Sequence, residues 1–93
     1  MKMKKPDKTQ RIIEFDPPIR RHGDGNRFYI SVSLPGVAEE QIRIDLENTT
    51  VTLSVSEDEK VFRKAIPVTK GARLFKKKFS DGVLEIVLEK PVP

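Results

Sequence analysis

Three stretches of this chain alternate apolar and polar residues almost without a break, and that period of two leaves little choice of fold. Phe28, Ile30, Val32 and Leu34 alternate with Tyr29, Ser31 and Ser33. Ile42, Ile44 and Leu46 alternate with Arg43, Asp45 and Glu47, and Val51, Leu53 and Val55 with Thr52, Ser54 and Ser56. Successive side chains of a strand point to opposite faces, so each stretch reads as a strand with one face on a core and one in water. Turn signals such as Pro35-Gly36 and Asp81-Gly82 recur at the spacing of about 8–12 residues expected of an all-β sandwich. No segment carries a helical period beyond one possible turn at Ala38 to Gln41. The expected fold class is all-β, an antiparallel β-sandwich of about seven strands.

The other strands are less regular. Arg11 to Phe15 is a short candidate closed by Asp16-Pro17-Pro18, because proline cannot continue a ladder. The cluster His22-Gly23-Asp24-Gly25-Asn26 reads as a flexible turn. Lys60 to Val68 is a strand ending near Pro67. Ala72 to Phe79 places Phe75 and Phe79 on one face and Leu74 on the other, and we read both phenylalanines as core. The stretch Phe79 to Lys90, FSDGVLEIVLEK, has aliphatic residues on both faces of its strand. Leu84, Ile86 and Leu88 fill the core, which leaves Val83 and Val87 to be covered from outside. Their cover is either the chain's own strand near Ile12 to Phe15, or a partner chain or client. Gly36 and Gly82 are turn formers, and Leu34, Ile44, Leu53, Phe79, Leu84 and Ile86 are the expected core.

At 93 residues the chain has room for one core. We divide it into a flexible basic tail over residues 1–10 and a single domain over residues 11–93. A chain this small buries roughly 60–65% of the surface its unfolded form exposes, so a second copy or a partner would help it. With no cysteine and only His22 for imidazole chemistry, neither a disulfide framework nor a thiolate or histidine-rich metal site can be built. The serines lie on polar strand faces without a nucleophile elbow, and the glycines are isolated turn residues that form no phosphate loop. We therefore expect no enzyme and no cofactor. No apolar run approaches the ~20 residues needed to cross a bilayer. The leading residues MKMKKPDKTQ have basic groups with no apolar core behind them, so they are not read as a signal peptide. The expectation is a soluble, cytoplasmic protein without membrane contact.

The net charge of +4 comes wholly from the leading segment: residues 1–23 carry seven Lys/Arg against three acids, and the remainder balances. Such a tail usually solvates a terminus. Lys76-Lys77-Lys78 lie between Phe75 and Phe79, a basic-aromatic interleaving that single-strand nucleic-acid binders use. We read the phenylalanines as core and the lysines as guards of an exposed edge. Nucleic acid is not an expected partner.

Four stretches, in order, resemble the α-crystallin domain of the small heat-shock protein family. They are Leu34-Pro35-Gly36-Val37 with Glu39-Glu40-Gln41-Ile42-Arg43-Ile44, then Val51-Thr52-Leu53-Ser54-Val55, then Phe62-Arg63-Lys64-Ala65-Ile66-Pro67-Val68, and Phe79-Ser80-Asp81-Gly82-Val83-Leu84-Glu85-Ile86-Val87-Leu88. The likeness spans residues 28–90. It implies an immunoglobulin-like sandwich acting as an ATP-independent holding chaperone, which dimerises and grips aggregation-prone client proteins through apolar grooves and strand edges. For the groove the candidates are Ile42, Ile44, Leu74 and Phe75.

The chain also departs from that family. Bacterial and plant members exchange a strand carried by a long loop, whereas here only Ser56 to Lys60 separates two strands. A dimer would instead pair the edge at Val61, Phe62, Arg63 and Lys64 with its copy. The I-x-I/V tail motif that ties large assemblies together is missing from Lys90-Pro91-Val92-Pro93, and Ile66-Pro67-Val68 falls inside a strand. The expectation is a monomer or dimer in place of a many-subunit cage. These losses also make the chain similar to crystallin-like domains of arsenical-pump ATPases and to CS-domain co-chaperones. The alternative function is thus an adaptor that binds one specific partner.

Overall fold

Alternation becomes strand wherever a neighbour is available to pair. In the computed structural model, which describes residues 11–91, the strands are β1 (Arg11–Glu14), β2 (Ile19–Asp24), β3 (Arg27–Ser33), β4 (Ile42–Glu47), β5 (Thr50–Glu57), β6 (Lys60–Pro67), β7 (Arg73–Ser80) and β8 (Val83–Glu89), with one 3-10 turn at Glu39–Gln41. The tail expected over residues 1–10 lies outside the described residues. One sheet has the order β1-β6-β5-β4 and the other β2-β3-β8-β7. All pairings are antiparallel except that of β1 with β6, which is parallel. The fold is an all-β sandwich.

Among the described residues eight strands are present where about seven were expected. The extra one is β2, which takes up His22, Gly23 and Asp24 from the stretch read as a flexible turn. Only Gly25 and Asn26 turn, between the paired Asp24 and Arg27. A glycine with positive φ (64°) in the first of two turn positions suits a tight hairpin, and β3 supplies the partner ladder that local propensity could not reveal.

Ile30, Val32 and Leu34 meet Val51, Leu53, Val55 and Ile66 from the other sheet, over a floor of Leu84, Ile86 and Leu88. Ile44 and Phe79, expected in the core, are half-buried and pack against its margin. They sit on β4 and β7, the edge strands, which lack a neighbour on one side to close over them.

Two turns fix the frame. Pro35-Gly36 turns with the Val37 N–H donating to the Leu34 carbonyl at 3.3 Å, and Gly36 takes φ +80°. Asp81 (φ 52°) and Gly82 (φ 76°) both occupy the left-handed region, as the two-residue hairpin between the paired Ser80 and Val83 requires. The two turns are joined by the Leu34 N–H, which donates to the Gly82 carbonyl at 2.7 Å. Gly36→Ala and Gly82→Ala are each expected to cost about 1–2 kcal/mol, the penalty of a side chain in left-handed backbone. Urea unfolding with an unchanged m-value would measure it, and wild-type midpoints would contradict the turn assignments.

The question of Val83 and Val87 has an internal answer for one of them. β1 belongs to the opposite sheet, so the N-terminal strand does not cover either valine. Val87 is buried on the outer face of its own sheet, between its register partners Tyr29 and Lys76. On the same sheet the Arg27 guanidinium lies 4.0 Å above the Phe75 ring. Val83, near the hairpin, is exposed.

Candidate functional site

The sandwich is open along the side where β4 faces β7. The alternation of β4 turns Ile42, Ile44 and Leu46 inward, and all three remain half-buried, while Arg43, Asp45 and Glu47 face water. Across from them, the register of β7 on β8 aligns Leu74 with Leu88, Lys77 with Ile86 and Phe79 with Leu84. Leu74, Lys77 and Phe79 thus share the core-side face. Glu39, Ile42, Lys77, Phe79 and Leu84 line a small common cavity, which brings the start of β4 close to β7. The result is a groove with apolar walls, a lysine and a glutamate at its rim, and Leu74 44% exposed along it.

Local chemistry positions the β4 wall. Gln41, at the end of the 3-10 turn, accepts from the Ala38 N–H through Oε1 at 2.8 Å and donates through Nε2 to the Ser56 carbonyl at 2.7 Å. This clamp ties the entry of β4 to β5 and sets the phase that turns Ile42 inward.

Of the four candidate groove residues, Ile42 lines the small cavity between β4 and β7, Ile44 and Leu74 lie on the core-side faces of the same two strands, and Phe75 does not. A bulge between Leu74 and Lys76 inserts Phe75 as an extra residue and breaks the alternation assumed from the sequence. Phe75 therefore does not share a face with Phe79, and it is not core: it is 48% exposed, under the Arg27 guanidinium. Arg27 is held in turn by Glu89 at 3.6 Å. This corrects the ground on which a base-stacking role was set aside. The ring is accessible at the surface, but one of its faces carries a guanidinium. Sequence reasoning missed Leu46, Lys77 and Phe79 as groove residues, although Leu46 continues the visible alternation of Ile42 and Ile44. A bulge has no such signature.

The candidate edge Val61, Phe62, Arg63 and Lys64 lies in β6, and in the single chain β1 runs along it. Ile12, Ile13 and Glu14 are register partners of Val61, Phe62 and Arg63. The pairing continues past the strand: the Phe15 N–H donates to the Arg63 carbonyl at 3.1 Å, the Phe15 and Phe62 rings lie 5.7 Å apart, and Asp16 accepts from Lys64 at 2.9 Å. Gly36 and Gly82 lie in turns with positive φ, and Leu84 and Ile86 are buried.

At the opposite margin, where β2 meets the end of β6, Arg21, Gly23, Phe28, Ile30, Pro67 and Val68 contribute to a second cavity of about 390 Å³. Arg21 closes it by donating to the Pro67 carbonyl. Among the described residues, no group of three or more His, Asp or Glu side chains is arranged to hold a metal ion, and no helix is long and apolar enough to cross a membrane.

This arrangement is similar to solved structures of small heat-shock proteins. HSP18.5 from E. histolytica superposes with a TM-score of 0.70 at 22% identity, over 85% of this chain and 89% of that one. A C-terminally truncated form of the small heat shock protein AgsA from Salmonella typhimurium gives 0.73 at 18% identity, over 85% and 91%. Heat shock protein 16.0 from Schizosaccharomyces pombe gives 0.69 at 22% identity, over 86% and 77%. No protein-family model and no curated relative matches the sequence. The chain shares the fold of these proteins, as the four-part resemblance in its sequence implies.

Proposed function

We propose that the chain is an ATP-independent holding chaperone of the small heat-shock type, which binds aggregation-prone proteins in the cytoplasm and self-associates as a dimer. The observation that carries this reading is the open groove between β4 and β7. An apolar cleft of Ile42, Ile44, Leu46, Leu74 and Phe79 in a small soluble sandwich leaves water-exposed hydrocarbon that an unfolding chain can cover. Burial of apolar surface is worth about 25 cal/mol per Å² and needs no defined sequence in the client. It also needs no cofactor and no catalytic group, and we assign the chain neither. The shared fold with small heat-shock proteins supports the same reading.

Light scattering of a heat-aggregating test protein tests it. Suppression at a near-equimolar ratio, across two unrelated test proteins, is the expected outcome. Unsuppressed aggregation in the presence of the folded chain would overturn the holdase reading, and an adaptor for a single protein would take its place.

A further inference from the structure

We infer that copies of this chain associate by exchanging residues 11–16, so that β1 of each lies along β6 of the other. The inference specifies the route of the self-association proposed above and rests on that part of the reading, not on client binding. It starts from what the β6 edge selects. β6 reads KVFRKAIP, with Lys60, Arg63 and Lys64 and no acid. The segment seated on it reads RIIEFD, which sets Ile12 and Ile13 beside Val61 and Phe62, Glu14 beside Arg63, and Asp16 on Lys64 at 2.9 Å. Across three of the four register pairs and the Asp16 contact, apolar residues meet apolar and acids meet bases; the exception is Arg11, which sits beside Lys60 at the start of the strand.

A second β6 is a poor occupant by the same criterion. Antiparallel pairing of β6 with its copy in full overlap sets Arg63 opposite Lys64, and a shift of one position either way sets Arg63 or Lys64 opposite itself. Like charges directly opposed destabilise a pair of strands. The simple edge-to-edge dimer expected from the sequence is thus disfavoured, and the segment that fits is the one the chain itself carries.

β1 is also built to leave. Among the described residues it pairs with β6 alone, it is four residues long, and Ile12 is 57% exposed. Only Pro17 and Pro18 separate the Asp16 contact from β2. Two prolines lock φ and give up two N–H donors, and the Pro18 carbonyl is held by the Ser33 N–H at 3.0 Å, so the link is a stiff hinge anchored on the β2–β3 side. The lever opens by losing the β6 contacts and recovers the same set on a neighbour. Reciprocal exchange of an identical element closes a two-fold dimer.

The chain contains no cysteine, which makes cross-linking decisive. Full-length Glu14→Cys and Arg63→Cys chains are mixed, warmed close to the melting point, cooled, oxidised and sized in solution. The expected result is a doubled mass with the disulfide joining the two different variants. The double variant Glu14→Cys/Arg63→Cys serves as a control, and an intrachain disulfide in its monomer fraction reports that β1 seats on β6. A dimer that cross-links through Arg63→Cys to Lys64→Cys, or through two copies of Arg63→Cys, would overturn exchange in favour of β6 pairing. A single-chain mass at all concentrations, with only the intrachain disulfide, would overturn both exchange and dimerisation. Neither outcome touches the light-scattering test of client holding. As a second arm, Glu14→Lys with Asp16→Lys should return a dimer to single-chain mass, and adding Arg63→Glu with Lys64→Glu should restore it. A dimer indifferent to the first pair of substitutions would also overturn the inference.

Discussion

Ile86→Ala is expected to destabilise the chain by about 2–5 kcal/mol, the range for truncating a fully buried aliphatic side chain. Ile86 is fully buried at the centre of β8, with Ile30 and Lys77 as its register partners on the flanking strands. It faces the residues of β5 and β6 across the core. No side chain nearby is free to fill the space, because Leu53, Leu84 and Leu88 are themselves fully buried. Total stabilities of small domains are only about 5–15 kcal/mol, so this one change removes a large share. Chemical denaturation with a wild-type m-value measures it, and Leu84→Ala should behave alike. An unchanged midpoint for either would mean that β8 does not floor the core.

Leu74→Asp is expected to weaken client holding by about three- to tenfold while leaving the fold in place. Fully burying a leucine side chain is worth about 1.5–3 kcal/mol, so the exposed 44% of Leu74 is worth about 0.7–1.3 kcal/mol, a factor of about three to ten in affinity. Leu74 is 44% exposed, so losing the part already covered should lower unfolding stability by about 1–2 kcal/mol, which leaves the fold in place. Light scattering against chain concentration reads the first effect and denaturation the second. Phe75→Asp is the comparison that separates the groove from mere surface hydrophobicity, since Phe75 is as exposed but lies under Arg27, outside the groove. Equal losses from both substitutions would sink the assignment of client binding to the groove. Full suppression by Leu74→Asp would move it to the strand edges.

The groove was half legible in the sequence, and particular residues show why. Ile42, Ile44 and Leu46 declare their face by alternation, because a regular strand allows no other phase. Leu74 and Phe75 carry the same hydrophobicity, yet one lines the groove and the other lies outside it. A single inserted residue between Leu74 and Lys76 decides which, and a bulge reverses facing without leaving a pattern. Phe79 shows the opposite kind of shift. Its face was read correctly, but its half-burial follows from β7 being an edge strand, a property of sheet order.

The first strands make the same point more strongly. Arg11 to Phe15 reads as a strand from its apolar residues and its proline stop, and it is one. Nothing local says that it pairs in parallel, with β6, in the sheet opposite to Val83 and Val87. His22 to Asp24 reads as a turn because glycine and aspartate disfavour strands in isolation, and the ladder offered by β3 overrides that preference.

The sequence by itself determined the all-β class, the tight turns at Pro35-Gly36 and Asp81-Gly82, and the buried set of Leu34, Leu53, Leu84 and Ile86. Periodicity, positive-φ chemistry and hydrophobicity are all local quantities. Which strands are edges, which edge β1 occupies, where the bulge falls and that Val87 is buried follow only from the assembled sheets. Those depend on contacts between residues far apart in the chain, whose energies appear only once the two sheets meet.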